Sequence, residues 1–129
     1  MDFTYSDRVR ALRSRLSDFM DRFVYPNQQT FRDQIAAAGN PFHHTEIVDE
    51  LKVKARAAGL WNLFFADKVY GAGLTNLEYA PLSEIMGRVL WAPEVFNCLD
   101  TGNVEILAQF GTPEQKEQWL FPLLDGKIN

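Results

Sequence analysis

Residues 93–119 read PEVFNCLDTGNVEILAQFGTPEQKEQW, and the fold class turns on this stretch. Pro93 suits the first turn of a helix, where its missing N–H has no intrahelical partner to lose. From there Phe96, Leu99, Asn103, Ile106, Leu107 and Phe110 recur at mostly three- and four-residue steps. That spacing predicts one helix over 93–110, its apolar stripe interrupted by a single polar position. Gly111 is expected to end it in the left-handed conformation that glycine adopts without steric cost. Thr112 then caps a second helix, with Pro113 at its first position and Gln115 closing a capping box. The two helices meet at a corner with no loop between them.

The chain on either side follows the same pattern. Val9, Leu12, Leu16, Phe19 and Phe23 line one face of a helix over about 4–24, capped by Thr4 or Ser6, with Arg8, Arg10, Arg13 and Arg15 mostly on the solvent side. Tyr25 precedes a proline, which disfavours its α conformation, so a break or kink is expected there before a second helical piece over 27–38 that stops at Gly39. Ile47, Val48, Leu51 and Ala55 mark a helix over 45–58, with Gly59 as its stop. The run LWNLFF at 60–65 is too short to classify by period and reads as a buried connection. Thr75 and Glu78 form another capping box, opening a helix that buries Leu82, Ile85, Met86 and Val89. Pro81 inside it should bend the helix or delay its regular start, and Pro122 should leave the last helix irregular before Gly126. The architecture predicted is all-α, an up-and-down helical bundle.

Composition narrows the function. A chain of 129 residues suits one domain, able to bury roughly two thirds of its unfolded surface. The net charge of −4 leaves no basic surplus for phosphates, so nucleic acid is not an expected partner. A single cysteine cannot form an intrachain disulfide, which fits a reducing compartment. No apolar run is long enough to span a bilayer and the N-terminus is not signal-like, so a soluble intracellular chain is expected.

Sites are few. His43-His44 lacks the further ligands that a zinc site needs, and no metal ligand is assigned. Tyr70-Gly71-Ala72-Gly73-Leu74 contains a GxG, but without a preceding strand or third glycine it reads as a turn and not a phosphate cradle. Glu84 is expected exposed or paired with an arginine. Cys98, between apolar neighbours, reads as a buried and inert thiol. Spacing offers one sharper arrangement: Glu94, Cys98 and Gly102 lie four apart, so on a continuous helix they share a face, with Asn97 and Thr101 beside them. Small residues there could simply permit close helix packing. They could also leave room for a ligand.

Asp100-Thr101-Gly102-Asn103, the series Phe110-Gly111-Thr112-Pro113-Glu114-Gln115-Lys116, Trp119-Leu120 and Leu123-Leu124-Asp125-Gly126-Lys127 together resemble the N-terminal helical domain of the acyl-CoA dehydrogenases, in the branch with an NC…DTGN phrase. Residues 60–74 are similar to the family's link between its second and third long helices, with Ala72 in place of a glycine of its YGG-x-GL phrase. The resemblance covers almost the whole chain.

It implies that residues 1–129 are the N-terminal domain of a protein about three times longer, followed by a β domain and a second helical domain. The implied activity is FAD-dependent α,β-dehydrogenation of an acyl-CoA, in which a carboxylate removes the α-proton, hydride leaves the β-carbon for the flavin, and electrons pass on to an electron-transfer flavoprotein. The resemblance places the base and the flavin contacts in the later domains, so no catalytic residue and no FAD ligand is assigned here, and the isolated chain is expected to be inactive without stably bound FAD. It places the 93–119 region at the far end of the acyl pocket, which makes Asn97, Cys98, Thr101 and Gly102 the implied substrate-binding residues. A homotetramer or homodimer is implied, located in the cytoplasm of a bacterium or in the mitochondria or peroxisomes of a eukaryote. An acyl-CoA oxidase or a flavin monooxygenase on the same fold, or a freestanding helical interaction domain without flavin chemistry, are the alternatives.

Overall fold

The computed structural model describes residues 3–128, all of them helix, turn or irregular, with no strand among them. The helices are α1 (Asp7–Phe19), α2 (Gln28–Ala38), α3 (Glu46–Ala57), α4 (Asn76–Met86), α5 (Ala92–Phe96), α6 (Thr101–Phe110), α7 (Pro113–Gln115) and α8 (Phe121–Leu124). Helix α1 packs against α4 and α3 against α5. Leu16, Phe19, Met20, Leu51, Leu82, Ile85, Met86, Val95 and Phe96 fill the main core between them. A smaller cluster of Phe65, Cys98, Val104, Leu120 and Leu123 joins the last helices to the rest.

Caps fall where the sequence places them. Thr75 Oγ1 accepts the Glu78 N–H at 3.2 Å while Glu78 Oε2 accepts the Thr75 N–H at 2.9 Å. Thr112 and Gln115 make the same reciprocal pair at 3.2 and 2.9 Å. Ser6, not Thr4, caps α1, its hydroxyl accepting the Val9 N–H at 3.2 Å. Gly39 and Gly59 take positive φ at the ends of α2 and α3, and Glu84 lies 3.5 Å from Arg88.

The α-helical pattern is interrupted near Pro26 and Pro122, as expected, but by wide turns and not by a stop. Tyr25 is α-helical at φ −59°, ψ −42°, so the helix does not break before Pro26. Instead Met20–Val24 forms one wide π-helical turn in which the Tyr25 N–H reaches the Met20 carbonyl. Lys116–Leu120 repeats this before Pro122, with the Phe121 N–H on the Lys116 carbonyl, and the helical run continues through α8. Widening the turn moves the preceding carbonyls away from the proline ring, relieving the clash that would otherwise end the helix. In α4 the helix is regular from Asn76 with Pro81 buried inside it, so its start is not delayed.

The largest correction concerns 93–110, which is two helices and not one. Asn97 is extended at φ −133°, ψ 149°, and residues 97–100 leave the helix. The register shifts across this break. Of the expected stripe Phe96 is buried, but Leu99, Ile106 and Phe110 are 41%, 58% and 74% exposed, and Val104 takes the core position on α6. Nor does Gly111 adopt the left-handed conformation, since its φ is −68°. It is glycine for want of space: a Cβ there would lie 2.5 Å from the Leu107 carbonyl oxygen.

Candidate functional site

The break between α5 and α6 is built by a polar residue on another segment. Asn62, alone among apolar neighbours in LWNLFF, is buried and takes the left-handed conformation at φ 53°, which asparagine tolerates better than most residues. Its N–H donates to the Phe96 carbonyl at 2.7 Å. Its Oδ1 accepts the Cys98 N–H at 2.8 Å and its Nδ2 donates to the Leu124 carbonyl at 2.9 Å. Trp61 Nε1 donates to the same carbonyl at 2.8 Å. These bonds supply partners to groups that helix termini leave unpaired, so the chain unwinds at 97–100 without orphaned backbone at either contact. Asn97 closes the end of α5 by donating from Nδ2 to the Pro93 carbonyl at 2.9 Å.

Unwinding opens a depression of about 380 Å³ lined by Phe64, Tyr79, Pro93, Glu94, Asn97, Cys98, Leu99 and Thr101. Asn97, Cys98 and Thr101 are thus brought together, although not on the continuous helical face on which Glu94, Cys98 and Gly102 were expected. Gly102 is outside this lining, exposed on α6, where an added Cβ would meet nothing within 4 Å. Phe64 and Tyr79 were not foreseen as part of the site. No local signal in the sequence links Tyr79 on α4 to residues after α5.

Electrostatics at the depression favour neutral groups. Burial pushes the Cys98 thiol up to about 11, reinforced by the nearby Asp100 carboxylate and opposed by a backbone hydrogen bond and by Arg56. Burial also raises the Tyr79 phenol above its ordinary value, against smaller opposing effects of Asn97 and Ser83. Both side chains therefore stay protonated at neutral pH. The surface they help form is an uncharged wall with Glu94 exposed at its rim.

Neither of the other candidate motifs forms a ligand cradle. A Cβ on Gly71 would lie 2.1 Å from the Phe65 carbonyl oxygen, and Ala72 N–H bonds that oxygen at 3.0 Å. This glycine lets two backbones meet, so Gly71–Gly73 does not fit a flavin pyrophosphate and no flavin contact is assigned to it. His44 Nε2 lies 2.7 Å from Asp49 Oδ1 on an exposed loop. Among the described residues no group of His, Cys, Asp and Glu could hold a metal ion, and no helix is long and apolar enough to cross a membrane.

An all-helical domain with an uncharged, mostly apolar depression is the kind that supplies a wall to an apolar ligand. Comparison with known proteins shows the family. The model of the acyl-CoA dehydrogenase N-terminal domain matches residues 6–127. Mycobacterium tuberculosis "Probable acyl-CoA dehydrogenase FadE2" is 52% identical over 99% of this chain and 32% of its own length. Mouse acyl-CoA dehydrogenase family member 10 is 48% identical over 95% of the chain and 12% of its own. A solved structure described as "Structure of a putative acyl-CoA dehydrogenase from Mycobacterium abscessus" superposes with a TM-score of 0.84 at 45% identity, covering 98% of this chain and 33% of that one. The chain belongs to the acyl-CoA dehydrogenase family, as its N-terminal helical domain, and spans about a third or less of these relatives.

Proposed function

We propose that residues 1–129 form the helical wall of the acyl pocket in an FAD-dependent acyl-CoA dehydrogenase, with Asn97, Cys98, Thr101 and Gly102 facing the far end of the acyl chain. The observation that carries this reading is the depression at the α5–α6 break, which gathers Asn97, Cys98 and Thr101 beside Phe64 and Leu99. Burying methylenes against such a wall favours binding in proportion to the apolar area removed from water. It also holds the thioester end in a defined position and keeps water from the tail. Gly102 stands outside that lining on α6, with open space where a side chain would stand, and its place beside the tail rests on the family's pattern. In this reading FAD supplies the hydride acceptor, and it and the carboxylate base belong to the remainder of a longer protein, as do the main subunit contacts of a homotetramer or homodimer. The redox partner is an electron-transfer flavoprotein.

The test uses the whole enzyme containing this domain. Cys98→Leu and Gly102→Leu should each lower kcat/KM for the longest accepted acyl-CoA by about tenfold or more while affecting short chains less, since each narrows an apolar site by more than one methylene. An unchanged profile across chain lengths would overturn the assignment of the wall. Anaerobic bleaching of the flavin by acyl-CoA, with slow reoxidation by oxygen, is expected of a dehydrogenase. Rapid reoxidation would move the protein to the oxidases of the same fold.

A further inference from the structure

A cleft of about 830 Å³ lies between α1, the end of α3, the connection that follows it and α8. Arg8, Arg15 and Arg56 stand on its wall, and all three are exposed. One backbone carbonyl orients each guanidinium: Ala72 for Arg8, Gly59 at 3.1 Å for Arg15 and Asp125 for Arg56. Such a carbonyl engages only part of the fork of N–H donors and brings no charge to neutralise it. The carboxylate in the lining, that of Asp125, pairs with Lys127 at 2.8 Å. Glu78 feels Arg8 only as the last of the causes that lower its carboxyl, and its oxygen is bonded to Thr75. Among the described residues none of the three cleft arginines forms an ion pair, whereas Arg10, Arg22 and Arg88 each do. In a chain of net charge −4, three such cations gathered on one cleft repel one another, and that arrangement is complementary to an anionic partner.

From this we infer that the cleft docks a carboxylate-bearing element of the domain that follows residue 129 in the longer protein. The inference rests on the reading above that residues 1–129 belong to such a protein. Length and position select this occupant. The chain covers 32% of the Mycobacterium tuberculosis relative and 33% of the Mycobacterium abscessus chain, and Leu124 and Asp125, at the end of α8, border the cleft. A polypeptide continuing past 129 therefore departs beside it. Chemistry selects the same occupant, because a guanidinium matches a carboxylate with two parallel N–H donors and the donors not bonded to carbonyls remain for it. A nucleotide is a poorer match: its base would compete with Arg56, whose guanidinium already lies 4.2 Å from the centroid of the Trp61 ring, and the Trp61 N–H is spent on the Leu124 carbonyl.

The experiment uses the whole enzyme with Arg8→Lys, Arg15→Lys or Arg56→Lys introduced singly. Each variant keeps the charge and supplies an amine, which a water-soluble carbodiimide joins to a carboxylate in direct ion pair with it. Mass spectrometry of the digested product should show at least one of these positions linked to an Asp or Glu beyond residue 129, in material that runs as a single chain on a denaturing gel. No link at any of the three positions, or links confined to carboxylates within residues 1–129, would overturn the inference. So would two chains joined through residues 1–129, which marks a second copy as the occupant. The unaltered enzyme gives a check that needs no variant: phenylglyoxal should label Arg8, Arg15 and Arg56 more slowly than in the unfolded enzyme by about tenfold or more, as a charge-assisted bond to each implies. Equal rates in the two states would show the cleft uncovered and defeat the inference. The two readings fail separately: an enzyme whose flavin acyl-CoA bleaches but which gives no such link loses only the docking, whereas a link in a protein whose flavin does not bleach defeats only the dehydrogenase reading.

Discussion

Asn62 Oδ1 accepts the Cys98 N–H at 2.8 Å, across 36 residues of sequence, and this bond turns what would be one long helix into two. With the Phe96 and Leu124 carbonyls on the same residue, Asn62 ties the connection after α3 to the α5–α6 break and to the last helix. The depression proposed to hold the acyl tail lies at this break, where the Asn62 side chain bonds backbone groups from two directions.

Asn62→Ala should therefore destabilise the protein by about 2–4 kcal/mol, because it leaves the buried Cys98 N–H without a partner, removes one of the two donors to the Leu124 carbonyl, which Trp61 still holds, and puts alanine at positive φ. Chemical denaturation measures the loss. Asn62→Asp, which keeps the acceptor for Cys98 but not the donor to Leu124, should fall between alanine and the native residue. Equal stability of Asn62→Ala and the native protein would show that the break has another cause.

The sequence was most legible where structure is local. The Thr75–Glu78 and Thr112–Gln115 boxes, the Gly39 and Gly59 stops, and the buried faces of α1, α3 and α4 follow from residues within a turn of one another, and the structure has each of them. What failed was long-range. The 93–110 stripe has a respectable helical period, yet the chain leaves the helix at 97–100, where Asn62 and Asn97 bond the freed backbone. The signal available was a lone asparagine inside an apolar run, which marks a polar residue with buried partners but does not say which. The prolines at 26 and 122 do disturb their helices, as expected, but the rule does not foresee that the disturbance takes the form of a π turn. At the site, Asn97, Cys98 and Thr101 were legible as neighbours of one another, while Phe64 and Tyr79 reach it only through tertiary packing.

Two glycines should respond oppositely to alanine. Gly71→Ala places a Cβ 2.1 Å from the Phe65 carbonyl oxygen and 2.8 Å from its carbon, so backbone must move; a loss of about 2–3 kcal/mol is expected, in the range for overpacking. Gly102→Ala meets nothing within 4 Å in a helical turn, where removing glycine's unfolded-state freedom should add up to about 1 kcal/mol. Thermal unfolding of the two variants would show shifts of opposite sign. A destabilised Gly102→Ala would mean that α6 packs more tightly than its exposure indicates.

Removing either box threonine should weaken its helix start. Thr75→Ala and Thr112→Ala are each expected to cost about 1 kcal/mol, the usual value for a lost N-cap. The acid response should differ as well. The Thr75 backbone N–H, then its hydroxyl, hold the Glu78 carboxyl below its ordinary value, so its contribution is present above the unfolded carboxylate range and lost as pH falls through the folded value. Thr75→Ala retains the backbone bond and loses the hydroxyl, so its deficit against the native protein should shrink in acid. A deficit independent of pH between neutrality and pH 3 would show that Glu78 does not depend on that hydroxyl.

Cys98 offers a direct reading of the dryness of the site. Its thiol is pushed up to about 11 from an ordinary 9.0, chiefly by burial, so at pH 8 the thiolate fraction is lower than that of a free cysteine by about a hundredfold, and alkylation by iodoacetamide should be slowed at least that much. The same shift has a consequence for stability. Between pH 9 and 11 the unfolded chain loses this proton while the folded chain keeps it, so the contribution is complete below 9 and disappears as pH rises through the folded value. Tyr79, also raised by burial, acts in the same direction at higher pH. Cys98→Ser should alkylate not at all and should lose less stability than the native protein between pH 8 and 11. Rapid labelling of native Cys98 at pH 8 would instead show that solvent enters the wall freely, and the depression could not then shelter an acyl tail.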